Sequence, residues 1–122
     1  MNKEKNSQVI FNQLKNAMDK ASGDLTCDQI KPDQFHLNTK HLMKNKKPLY
    51  FGGVVINKNY VSYHLMPVYV FPDLLNDISS ELSRRMQGKS CFNFKSIDHE
   101  LFKELAVLTE TGYKKYQEAG YV

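Results

Sequence analysis

The stretch from Pro48 to Met66, PLYFGGVVINKNYVSYHLM, constrains the fold more than any other part of the chain. Apolar and β-branched residues run up to an Asn-rich break at Asn57-Lys58-Asn59 and resume directly after it. That is the pattern of two antiparallel strands joined by a tight turn. With Ile56 facing Tyr60 across the turn, the odd positions Phe51, Gly53, Val55, Val61, Tyr63 and Leu65 share one face. The even positions Tyr50, Gly52, Val54, Tyr60, Ser62, His64 and Met66 share the other. The odd face is nearly all apolar and is expected in the core. The even face is mixed, and on it His64 stands opposite Gly52, where no side chain projects.

The flanking segments complete a domain. Ser7 to Ala21 places Ile10, Leu14, Ala17, Met18 and Ala21 on one helical stripe, and Gly23 supplies a left-handed stop. After a turn region, Gln34 to Thr39 alternates Phe35 and Leu37 with Gln34, His36 and Asn38, which predicts a strand. The second hairpin strand can continue through Val68-Tyr69-Val70, with Pro67 at a bend or sheet edge because it cannot donate a ladder hydrogen bond. Pro72 suits a first helical turn, Ser79 to Gln87 reads as a short helix with Leu82 and Met86 inward, and Gly88 ends it. Ser90 to Lys95 is expected as a strand with Phe92 and Phe94 in the core. Asp98 caps a last helix whose stripe runs through Leu101, Leu105, Leu108 and Tyr116, with Phe102, Ala106 and Tyr113 beside it. Helices before and after grouped antiparallel strands imply an α+β class: two layers, a mainly antiparallel sheet of four or five strands, and the N- and C-terminal helices on one face.

Composition narrows the class of protein. At 122 residues, 41% hydrophobic and 25% charged, the chain is expected to fold as one domain spanning residues 1–122. No apolar run approaches the roughly 18 residues of a membrane span, and MNKEKNSQ has no signal-peptide core behind its lysines, so no membrane role and a cytoplasmic location are expected. Cys27 and Cys91 lie outside any metal-binding or CxxC spacing and are expected to be reduced thiols. The formal charge of +4 is concentrated in Lys40, Lys44, Lys46 and Lys47, which read as a solvated loop guarding a sheet edge. No nucleic-acid motif accompanies these lysines, and no nucleic-acid partner is expected.

Pro48 before an aromatic and Gly52, the hairpin, a bend into short helices, Gly88-Lys89 leading into Ser90-Cys91-Phe92-Asn93-Phe94, and Ile97-Asp98 opening a final helix together resemble the YdhG-like domain. The resemblance spans roughly residues 5 to 119, as a matter of element order and local pattern. It implies a bacterial protein with a frataxin-like α+β fold in a family mostly of unknown function, and it brings in a frataxin-like iron carrier as an alternative function. Hard iron prefers carboxylate oxygens, and the nearest sets here, Asp19, Asp24 and Asp28 or Asp98, Glu100 and Glu104, are sparse and partly explained as helix caps.

The residues themselves favour a non-enzymatic binding module. There is no GxSxG, P-loop or dinucleotide fingerprint. His36 and His41 point to opposite faces of one strand, and His99 sits in the first turn of a helix, so neither a metal site nor a cofactor is expected. Cys91 and His64 can meet across neighbouring strands, which keeps a Cys/His-dependent enzyme as a further alternative, although no oxyanion hole or third orienting group can be named and no catalytic residue is assigned. The ligand surface is placed on the mixed hairpin face: Tyr50, His64, Met66 and Tyr69 above the Gly52 gap, with Arg84 and Lys89 at the rim. That set suits a small planar or anionic ligand, and the same face can serve as a homodimer contact.

Overall fold

Five antiparallel strands follow one another across a single sheet in chain order: β1 (Thr26–Lys31), β2 (Gln34–Leu42), β3 (Pro48–Ile56), β4 (Val61–Leu65) and β5 (Cys91–Phe94). The computed structural model describes residues 3–20 and 25–122, and the side chains of all of these except 3–6 and 28–30. Helix α1 (Lys3–Lys20) precedes the sheet and α4 (His99–Glu118) follows it. Between β4 and β5 come α2 (Pro67–Val70), a 3-10 turn (Pro72–Leu75) and α3 (Ser80–Arg84). The α+β, two-layer architecture expected from the sequence is present. The expected stop at Gly23, the end of the first stripe at Ala21 and the acidic residue Asp24 lie outside the described residues. Among the described residues, no helix is long and apolar enough to cross a membrane.

The terminal helices and one sheet face close a single core. Ile10, Phe11, Leu14 and Met18 from α1 and Leu101, Phe102, Leu105, Leu108 and Tyr116 from α4 bury against Phe35, Leu37, Phe51, Val54, Val61, Tyr63, Leu65, Phe92 and Phe94. A polar linkage inside is satisfied: Thr109 Oγ1 donates to the Leu105 carbonyl at 2.7 Å and meets the Tyr63 hydroxyl at 2.5 Å. Asp98 caps α4 as expected, its carboxylate accepting the Leu101 N–H at 3.1 Å.

Three expectations are corrected. Strand β1 falls where a turn region was expected, because TCDQIK is a polar edge strand with no clean alternation of apolar residues. Strand β4 does not continue past Pro67; Pro67 instead opens α2, its ring against Gly112 of α4, where an added Cβ would come within 2.8 Å of it. The third concerns the hairpin register. Asn57 N–H donates to the Tyr60 carbonyl at 2.8 Å and Ile56 pairs with Val61, so the chain reverses over Lys58-Asn59, one residue fewer than expected. Gly52 therefore pairs with Leu65 and Gly53 with His64. A one-residue slip exchanges faces along a whole strand.

A β-bulge adjusts the same strand a second time. Leu37 pairs with Gly52 but Asn38 pairs with Tyr50, which leaves Phe51 as the extra residue. The Phe51 ring turns into the core against Tyr116 and Tyr113, at centroid distances of 5.7 and 6.2 Å. As a result Gly52 and Val54 face the core, while Tyr50 and Gly53 face away from it.

The middle helices pack on the covered side. Phe71 lies 6.4 Å from the Tyr116 ring. Ser79 is held by Glu104, whose carboxylate accepts the Ser79 N–H at 2.6 Å and its hydroxyl at 2.7 Å. The opposite sheet face is left half-exposed along Gln34, His36, Tyr50, His64, Cys91 and Asn93.

Candidate functional site

Strand pairing arranges the open face in two rows that cross the sheet. His36, Gly53, His64 and Cys91 are successive partners on β2, β3, β4 and β5, and Gln34, Val55, Ser62 and Asn93 form the row beside them. Each row is a consequence of period-2 alternation: the residues between them, Phe35, Val54, Tyr63 and Phe92, belong to the hydrophobic core on the other face.

Gly53 makes the centre of the first row. A Cβ there would collide with the Tyr50 hydroxyl and would lie 2.5 Å from His36 Nδ1 and 2.6 Å from the Phe35 carbonyl. The space above this glycine is therefore filled by an aromatic pair rather than left as a pocket. The Tyr50 hydroxyl meets His36 Nδ1 at 2.7 Å, with ring centroids 5.8 Å apart, and His36 Nε2 meets Gln34 Oε1 at 3.2 Å. His36 is thus bridged between a hydroxyl and an amide, and which ring nitrogen donates follows its tautomer.

The second row is a chain of hydrogen bonds. Asn57 Nδ2 donates to Ser62 Oγ, and Ser62 Oγ to Asn93 Oδ1, each at 2.8 Å. Asn93 Nδ2 in turn donates to Gln87 Oε1 at 2.6 Å. The Cys91 thiol points into the same chain, 3.3 Å from Asn93 Oδ1. Ser62 is only 3% exposed, so this chain fixes the floor while its outer members remain reachable.

Three titratable groups on this face, Tyr50, His64 and Cys91, are biased toward their uncharged forms. Burial raises the pKa of the Tyr50 phenol, and nearby Cys91 raises it further. Burial lowers the pKa of the His64 imidazole, and His36 lowers it further. Burial raises the pKa of the Cys91 thiol, with a hydrogen bond to Ser62 partly opposing the rise. The cross-strand Cys91–His64 pairing expected from the sequence is present, but both shifts oppose a thiolate–imidazolium pair.

The expected site residues are distributed unevenly. Tyr50 and His64 lie on the open face. Gly52 does not: an added Cβ would meet the His64 carbonyl at 2.5 Å and Met18 Cε at 2.8 Å, on the side covered by α1, and Gly53 takes the place assigned to it. Met66 has left the strand and is the N-cap of α2. Tyr69 is 54% exposed and pairs with Lys89, whose Nζ is 5.9 Å from its ring centroid. Arg84 is exposed in the last turn of α3. None of these last four belongs to the rows.

His36, Gln34, Gly53, Ser62 and Asn93 were not singled out from the sequence as ligand-binding. The signal was available in the polar positions of three strands, Gln34/His36, Ser62/His64 and Cys91/Asn93, which must share a face once their apolar neighbours share the core. Among the described residues, no three His, Cys, Asp or Glu side chains converge as metal ligands. No family model, no curated protein and no solved structure matches this chain.

Proposed function

We propose that this protein is a small, non-enzymatic binding module whose ligand surface is the open sheet face, and that the ligand is planar and uncharged with its own donors and acceptors. The observation that carries the reading is the Tyr50–His36 pair held over Gly53, half-exposed beside the neutral imidazole of His64. An aromatic platform next to fixed amide and hydroxyl groups suits a ring that stacks on one side and is read along its edge. A planar ligand is favoured over an anionic one because the rows hold no lysine or arginine and Arg84 and Lys89 stand outside them. A reducing compartment such as the cytoplasm suits the two free cysteines. The iron-carrier and Cys/His-enzyme alternatives draw no support from the ligand sets or from the thiol described above.

The test is two-dimensional NMR with two fragment panels, neutral heteroaromatic rings and small anions. Neutral rings should shift the resonances of Gln34, His36, Tyr50, His64 and Asn93, and Tyr50→Ala should weaken the best of them by about tenfold or more, the scale of one lost stacking contact. If neither panel moves these resonances, the face is not a small-molecule site; if only anions do, the ligand class is wrong.

A further inference from the structure

A second surface, remote from the open sheet face in composition and position, carries an inference of its own. Between the 3-10 turn and α4 runs a groove of about 400 Å³ lined by Leu74, Ile78, Val107 and Leu108, with Asp73, Asp77 and Glu104 along it. Val107 is 62% exposed, large for an apolar side chain in the middle of a helix. Glu104 is engaged with Ser79, which fixes one wall. Asp73 makes only a long 4.0 Å contact with Lys115, and Asp77 is exposed. An acidic rim over an apolar floor is unexpected on a chain of net charge +4.

The complement to this groove is on the same chain. The end of β2 and its connection to β3 read Lys40-His41-Leu42-Met43-Lys44-Asn45-Lys46-Lys47. Leu42 is 60% and Met43 37% exposed, and Lys40, Lys44, Lys46 and Lys47 are exposed around them. The loop is a formed turn: Lys46 N–H donates to the Met43 carbonyl at 2.8 Å, Met43 N–H to the Lys47 carbonyl at 2.9 Å, and Lys46 holds φ at 66°. It therefore presents two apolar side chains inside a ring of lysines with little ordering left to do on binding.

We infer that the Lys40–Lys47 loop of one copy docks into the Asp73/Asp77/Val107 groove of a second copy. Leu42 and Met43 meet Leu74, Ile78 and Val107, and the flanking lysines meet Asp73 and Asp77. Loop and groove are different patches, so the contact is head-to-tail, and each copy keeps one free loop and one free groove. Assembly then grows with concentration into rings or short chains, and salt weakens it by screening the lysine–aspartate attraction.

Light scattering and sedimentation on the full chain test this. The wild type should gain mass with concentration, and raising sodium chloride from about 0.05 to about 0.5 M should reverse much of the gain. Two variants separate the halves of the contact: Leu42→Ser/Lys44→Glu disables the loop, and Asp77→Lys/Val107→Lys disables the groove. All four positions are exposed, so thermal melts should stay at the wild-type value. Alone, each variant should need at least about tenfold more protein to associate. Mixed in equal amounts they should form a heterodimer and nothing larger, because the one intact loop fits the one intact groove. A wild type that stays monomeric throughout overturns the inference, as does a mixture no larger than its parts. So does a synthetic 40–47 peptide that shifts groove resonances while the intact chain remains monomeric, which would give the groove to a basic segment of another protein.

Discussion

At Gly53 the missing side chain is what allows the Tyr50 hydroxyl and His36 Nδ1 to approach the backbone and each other. The two glycines of β3 do opposite jobs: Gly52 admits Met18 of α1 on the covered side, and Gly53 admits Tyr50 on the open side. Sequence reasoning identified that one of them had to oppose His64 without a side chain, but chose Gly52, because the choice depends on the length of the turn at Lys58-Asn59, five residues beyond Gly53. His64 itself gives a test by pH. Its folded pKa lies below the ordinary value of 6.5, first through burial and then through His36, so the folded protein resists a proton that the unfolded chain accepts. Stability from this source is complete above that ordinary value and erodes as pH falls through it toward the lowered one. Of the groups around it, burial biases Tyr50 and Cys91 toward their neutral forms and His36 can add only positive charge, so none offers a compensating negative charge. Thermal melts between about pH 7.5 and about pH 5 should show a decline that His64→Gln flattens, by a small amount because the ring is partly exposed. An equal decline in both proteins would assign the effect to another group.

Among the elements, those with redundant signals were legible and those set by a single residue of spacing were not. Helix α4 combines an Asp98 cap with an apolar stripe, and both were readable; Gly120, just past its end, has the positive φ of 82° that suits a helix stop. Strand β5 was readable from two phenylalanines two apart, both now buried. Strand β4 was placed on the correct face, with Val61, Tyr63 and Leu65 inward and Ser62 and His64 outward. Strand β1 carried no such redundancy, since an edge strand needs only half an apolar face. In β3 the turn length and the Phe51 bulge each shift the alternation by one, and neither has a signature in nine residues that are almost all apolar. The same contrast sets the size of two mutational effects in α4. Leu105 is wholly buried, and Leu105→Ala should cost about 2 to 5 kcal/mol by leaving a cavity. Asp98→Ala removes one capping bond and should cost about 1 kcal/mol. Denaturant melts should keep them in that order; equal losses would mean that α4 is not seated on the sheet.

For the whole molecule, the decisive property is that its sheet has one dry side and one wet side. Among the described residues the helices lie on the dry side, so the chain forms two layers where a third would have hidden the row of His36, His64 and Cys91. The mixed hairpin face left open whether the second side is wet, covered by the middle helices or used; the identity of the residues on each side rests on the register, and adjacent valines test it. Val54 is fully buried and pairs with Tyr63, whereas Val55 is partly exposed and pairs with Ser62. Val54→Ala removes two methyl groups from a packed interior and should cost about 2 kcal/mol or more, because transfer and cavity terms add. Val55→Ala removes the same atoms from a surface that water already reaches, and its cost should stay under about 1 kcal/mol. Both substitutions leave an alanine in the same strand, so differences in β propensity cancel and the gap between the two melts reports the face alone. If Val55→Ala proved the costlier change, the turn would be one residue longer, Gly52 would stand opposite His64, and the aromatic pair over Gly53 would have no place on the open face.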